Sequence, residues 1–187
     1  MGVIWRYVLV VDDGLSPCIE DGMLTLARRK PALRGRAQRG DWVLAMASRT
    51  LHPHGRAIAW AGRVSASLPL LDYSRRYPDR ADALPLPAGS GAMAPLAGDG
   101  PLQSVEGRRA LIFEPFWYWS NRSAVTLDDA VAPFAHSFSG ARNRHQAEER
   151  IGELEHWLSS LASPGVHGQP SDKPGLSSGR RIPLRDQ

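Results

Sequence analysis

The sequence predicts an α+β fold with a mainly β core, one amphipathic helix near the C-terminal end, and a flexible tail. Alternating apolar residues predict several strands between residues 4 and 114. Apolar residues at helical spacing predict a helix over residues 143–162. Residues 163–187 are rich in proline, glycine, serine and arginine, and carry too few bulky apolar side chains to offset the entropy of folding. We therefore divide the chain into one domain, residues 1–162, and a flexible tail, residues 163–187.

The strands are predicted from β-branched and aromatic residues that alternate with other residue types. The first strand covers residues 4–11. Two further strands, residues 42–47 and 56–67, are joined by a hairpin loop. Residues 109–114 predict another strand, which leads into the aromatic run of residues 116–119.

The connections contain residues that interrupt regular structure. Residues 23–29 fit a short helix or a strand, and Pro31 ends that segment because the residue before a proline disfavours the helical region. Residues 84–107 hold many prolines and glycines, which predict a long surface loop. Thr126 begins a sequence similar to a capping box, and this predicts a short helix that Pro133 limits.

The helix predicted over residues 143–162 has one apolar face. Ile151, Leu154, Leu158 and Leu161 follow one another at spacings of three, four and three residues. This stripe predicts that the helix packs on the sheet.

Length and composition are those of an ordinary globular domain. The chain has 187 residues, a hydrophobic share of 42% and one cysteine, Cys18. No apolar stretch approaches the roughly 20 residues of a membrane-spanning helix. The first residues lack the basic and apolar regions of a signal peptide. We therefore expect a cytoplasmic protein with no membrane partner.

Positive charge is concentrated in one short segment. The net charge is +4, and only two of the 23 basic residues are lysines. Six basic residues fall close together with no acidic residue among them: Arg28, Arg29, Lys30, Arg34, Arg36 and Arg39. Such a cluster favours contact with the phosphates of a nucleotide or nucleic acid. A solvated basic surface, or a genome that favours arginine codons, gives the same pattern.

The aromatic residues have two interpretations. The chain has six tryptophans, a high number for its length, and five of them lie on or beside predicted strands. Aromatic residues on strands usually pack in the core, but an exposed ring can also stack on an unpaired base. The sequence leaves both roles open.

No motif of a metal or cofactor site occurs in the chain. Walker, GxGxxG and HExxH patterns are absent. His52 and His54 lie close together, but no cysteine or carboxylate follows at ligand spacing. We therefore predict no metal and no cofactor. Asp13 and His145 supply an acid/base pair only if the fold brings them together.

Several short motifs follow one another in a fixed order along the chain. Asp13, Gly14 and Pro17 follow the first strand. The pattern continues in residues 22–27, Lys30-Pro31, Arg34, Ala37, residues 40–42, residues 72–79, residues 116–119 with Asn121, and residues 140–145. Together these stretches resemble the nucleotide modification associated domain 2 family of bacteria and their phages. The resemblance implies a role in systems that make, recognise or tolerate modified nucleotides.

Residues 40–43 and the hairpin after them are also similar to the PUA-like barrels of the EVE and ASCH groups, which read modified bases or RNA. This second resemblance implies a small, curved, PUA-like β-barrel with the C-terminal helix packed against it.

The leading hypothesis is a module that binds a nucleotide or nucleic acid and recognises a modified base. The candidate nucleotide-binding residues are Asp13, Lys30, Arg34, Trp42, Trp119 and Arg144. In this hypothesis the cations neutralise phosphate, a tryptophan stacks on the base, and Asp13 accepts a hydrogen bond from the edge of the base.

Two alternatives belong to other functional classes. The first is an enzyme acting on a nucleotide or base, with Asp13 and His145 as its acid/base residues. The second is an interaction subunit of a modification, restriction or defence complex, whose tail and basic segment contact a protein partner.

Overall fold

The structure is a computed structural model that describes residues 2–54, 56–85, 108–129, 131, 142–145 and 148–170. Most of the loop predicted over residues 84–107, and the part of the predicted tail after residue 170, lie outside the described residues.

The described residues form nine strands and three helices. The strands are β1 (Val3–Leu9), β2 (Cys18–Glu20), β3 (Met23–Leu26), β4 (Trp42–Ala47), β5 (Ala57–Pro69), β6 (Arg109–Tyr118), β7 (Val125–Thr126), β8 (Arg142–His145) and β9 (Gly165–Val166). The helices are α1 (Pro31–Arg34), α2 (Leu70–Arg76) and α3 (Glu148–Leu161). None of these three helices has both the length and the apolar character needed to cross a membrane.

The strands form one mixed sheet. The pairing order is β2-β3-β6-β5-β4-β1-β8, with β7 added to β5 and β9 added to β6. The pairs β1/β4 and β6/β9 are parallel, and the other pairs are antiparallel. No pairing within the described ranges joins β2 to β8, so the sheet is open there. The α+β class is confirmed, whereas closure into a PUA-like barrel is not.

The sheet buries both of its faces because successive side chains of a strand point to opposite sides. Tyr7 on β1 belongs to the apolar cluster that includes Leu33 of α1. Ile4, on the same strand, belongs to a second cluster, together with Leu154 and Leu158 of α3. The predicted packing of the C-terminal helix on the sheet is therefore confirmed.

Some short elements differ from the sequence prediction. β8 occupies the predicted beginning of the C-terminal helix, and α3 begins only at Glu148. β7 includes Thr126, where the sequence predicts the start of a helix. In both places the chain pairs with a neighbouring strand, β1 or β5. These pairings depend on tertiary context, which local sequence patterns do not report.

The structure also differs at the beginning of the predicted tail. β9 pairs with β6, and the backbone N–H of His167 donates to the carbonyl oxygen of Tyr118 at 2.7 Å. The ring of His167 stacks on Trp119 with 5.9 Å between centroids. Backbone hydrogen bonds and this ring contact therefore fix residues that composition alone assigns to a flexible tail.

Candidate functional site

The loop after β1 meets the turn before α1 on one side of the sheet. Arg29 donates from Nη2 to Oδ2 of Asp13 at 2.7 Å. The Nζ atom of Lys30 lies 4.8 Å from the ring centroid of Tyr7, a residue of β1. We call Tyr7, Asp13, Arg29 and Lys30 the β1 corner. It combines two adjacent cations, one carboxylate and one aromatic ring.

The backbone that carries these two cations is strained. Arg29 has a φ of 55° and Lys30 a φ of 47°, both in the left-handed region that residues other than glycine seldom adopt. Such conformations cost about 1–3 kcal/mol each, and they cluster at binding and catalytic sites. Directly after them, Pro31 occupies the first turn of α1, where its missing N–H removes no helical hydrogen bond.

The surroundings of Lys30 are less polar than bulk water. Burial lowers the pKa of its amine, and the positive charge of Arg29 lowers that pKa further. The hydroxyl of Tyr7 accepts a hydrogen bond from Nε1 of Trp60 at 3.1 Å. Burial raises the pKa of Tyr7 above its ordinary value, so its hydroxyl stays protonated at neutral pH. Charges interact more strongly in such a site than in water, which favours an anion beside the two cations.

Arg34 occupies the core, in contrast to its predicted role as a phosphate ligand. Its exposure is 1%. The guanidinium donates from Nε to the carbonyl oxygen of Arg29 at 2.6 Å and from Nη1 to that of Arg109 at 2.5 Å. Since the group is buried against main-chain acceptors, the structure gives no support to direct contact between Arg34 and phosphate.

The tryptophans are core residues rather than stacking platforms. Trp42 is fully buried, stacks on Trp117 and donates from Nε1 to Oε1 of Glu155 at 3.2 Å. Trp119 is buried beneath His167. The remaining three tryptophans are buried as well. The core interpretation of the aromatic residues is correct, and base stacking on Trp42 or Trp119 has no structural support.

The structure separates the remaining candidates from the β1 corner. Strand β8 places Arg144 and His145 beside the first residues of β1, with His145 opposite Val3. Asp13 follows the other end of the strand, after Leu9. The six steps from Val3 to Leu9 span about 20 Å at roughly 3.3 Å per residue. The fold therefore does not assemble Asp13 and His145 into an acid/base pair.

A second cationic surface lies directly after α1. It is a groove of about 600 Å³ whose polar lining consists of Arg36, Gln38, Arg39, Ser65, Ser67 and Arg109. None of the described residues that line it is acidic. We call this surface, with Arg36, Arg39 and Arg109 as its cations, the arginine groove. Arg36 and Arg39 belong to the basic cluster seen in the sequence, whereas Arg109 comes from a distant strand and gives no sequence signal.

A buried polar network near α2 has a structural role. Asp82 accepts hydrogen bonds from Thr25 at 2.7 Å and from Tyr73 at 2.6 Å. Arg80 donates from Nε to the Tyr73 hydroxyl at 2.9 Å, and it also bonds backbone carbonyls of the β2–β3 hairpin. Burial raises the pKa of the neighbouring Cys18 thiol to about 12, so this thiol is not a reactive thiolate at neutral pH.

One comparison with known proteins gives a match. The family model described as nucleotide modification associated domain 2 matches residues 1–100. This range contains the whole β1 corner, as well as Arg36 and Arg39 of the arginine groove. No curated protein and no solved structure matches the chain.

Proposed function

Because the chain belongs to the nucleotide modification associated domain 2 family, we propose that it binds a nucleotide at the β1 corner, with the phosphate held by Arg29 and Lys30. The family associates the domain with nucleotide modification systems. Binding of a nucleotide is the function that the geometry of this site supports best.

One observation carries the proposal: two adjacent cations lie on a strained turn at the edge of the core. The planar guanidinium of Arg29 suits phosphate oxygens, and the ammonium of Lys30 adds a point charge beside it. Asp13 orients Arg29 through their ion pair. Its carboxylate accepts two hydrogen bonds, from Arg29 and from the N–H of Leu15, and so keeps acceptor capacity for a donor on the sugar or base.

The alternatives differ in support. The enzyme hypothesis loses its acid/base pair because β1 separates Asp13 from His145. Contact between the tail and a protein partner stays a prediction, since residues 171–187 lie outside the described part of the chain. Recognition of a modified base also stays a prediction, and the buried tryptophans do not contribute to it.

The proposal is tested by fluorescence-anisotropy competition with deoxynucleoside 5′-monophosphates that carry unmodified and modified bases. We expect Lys30→Met and Arg29→Gln each to weaken binding by about tenfold or more, because a hydrogen bond to a charged group contributes about 1.5–3 kcal/mol. Arg75→Gln is the matched control, since Arg75 is an exposed cation on α2. We expect this control to bind as the parent does.

The contradicting outcome is equally specific. If Lys30→Met and Arg29→Gln retain the circular dichroism spectrum of the parent and also its nucleotide affinity, the β1 corner is not the phosphate site.

A further inference from the structure

We infer that the ligand is a single strand of nucleic acid, whose phosphate backbone continues from the β1 corner into the arginine groove. The inference rests on the proposed function and adds to it the class of ligand.

The two cationic surfaces are joined through Arg34. Its guanidinium bonds the carbonyl oxygen of Arg29 in the β1 corner and that of Arg109 in the arginine groove. The Arg34 guanidinium therefore donates to one carbonyl oxygen of each surface. Residues 29 and 109, one from each surface, therefore lie within reach of the same buried side chain, and the inferred strand passes between the two surfaces there.

The cations of the arginine groove are available to a ligand. Arg36 and Arg39 are exposed, and within the described residues their side chains make no hydrogen bond or ion pair. Arg109 donates from Nε to Oγ of Ser67 at 2.6 Å and from Nη2 to the Ser67 carbonyl oxygen. These bonds fix the guanidinium plane and leave Nη1 for a ligand, so the donor is oriented before binding.

The charge of the groove favours a strand over a free nucleotide. Its volume of about 600 Å³ lies within the range of roughly 300–1,000 Å³ typical of pockets that hold small ligands. A free nucleotide held at the β1 corner leaves this second surface, whose described lining residues include no acid, unused. Successive phosphates of one strand occupy both the β1 corner and the arginine groove. Other proteins bind single strands in the same way, in a positively charged groove that follows the phosphate backbone.

The test compares two probes, thymidine 5′-monophosphate and an oligothymidylate of about twelve nucleotides, a length within the usual site sizes. Binding is measured over a range of salt concentrations for the parent and for Arg36→Gln/Arg39→Gln. The matched control is Arg75→Gln/Arg76→Gln, which removes two exposed cations from α2.

We expect the groove variant to reduce the slope of log affinity against log salt for the oligonucleotide by about 1.4, because each phosphate contact of a single strand contributes about 0.7. Its affinity for the monophosphate stays that of the parent. The control variant keeps the parent's slope.

An unchanged slope in the groove variant overturns the inference. Equal weakening of the monophosphate and the oligonucleotide also overturns it, since the groove is then part of a nucleotide site. If polyglutamate competes as well as the oligonucleotide does, the groove is a surface for acidic polypeptide and the inference is wrong. Failure of the proposed function has a different signature, because Lys30→Met then leaves the affinity for the monophosphate unchanged.

Discussion

Lys30 and Arg34 lie four positions apart in the basic segment, yet the fold uses them differently. Lys30 is half-buried above the ring of Tyr7, while Arg34 lies in the core against main-chain carbonyls. The sequence indicates the cluster of charge, but α1 has only four residues, too few for a periodic pattern that distinguishes a buried position from an exposed one. Which cations remain accessible is therefore decided by tertiary structure.

The lowered pKa of Lys30 predicts how its contribution to stability changes with pH. Burial of the charged amine opposes folding. Between the lowered folded value and the ordinary 10.5, the unfolded chain binds more protons than the folded chain, so this contribution becomes more favourable as pH rises. We expect the parent to gain unfolding free energy relative to Lys30→Met between neutral pH and about pH 10.

Urea denaturation of the two proteins at both pH values measures this difference. The unfolding free energies of parent and Lys30→Met are compared at the two pH values. If their difference stays constant, or if it changes in favour of the variant as pH rises, residue 30 does not carry a partly buried amine.

At the scale of elements, the sequence predicts the strands with strong apolar patterns better than the short ones. β4 has its predicted bounds, β6 extends beyond its predicted end, and β5 begins and ends later than predicted. The short strand β9 has no such pattern, because its place beside β6 depends on backbone pairing and on a close approach by Gly168. A Cβ atom on residue 168 lies only 1.8 Å from the carbonyl oxygen of Trp119, so glycine is required there.

This close approach predicts opposite effects for two glycine substitutions. We expect Gly168→Ala to lower the free energy of unfolding by about 1–3 kcal/mol, because the added methyl group displaces packed backbone. Gly152→Ala is the matched control, since residue 152 lies in α3 and its Cβ meets nothing within 4 Å. In a helix, alanine is more favourable than glycine by about 0.5–1 kcal/mol. Urea denaturation in which both variants gain stability contradicts the docking of β9.

For the molecule as a whole, the family model matches residues 1–100 and confirms the family, but the residues that the resemblance singles out do not lie together in one site. Lys30 and Asp13 both belong to the β1 corner, Lys30 through Tyr7 and Asp13 through Arg29, and the resemblance singles out both of them. Arg144 lies instead beside the first residues of β1, and Trp42 and Trp119 are buried. The resemblance depends on the order of residue types along the chain. The pairing of the strands in the mixed sheet determines which of those residues lie near one another.

Amine labelling tests whether a ligand phosphate binds at the β1 corner. Lys30 and Lys173 are the only lysines of the chain, so mass spectrometry of partially acetylated protein compares one site residue with one internal reference. We expect saturating oligothymidylate to slow acetylation of Lys30 several-fold more than that of Lys173. Equal acetylation rates of Lys30 with and without bound oligothymidylate rule out a phosphate on the β1 corner.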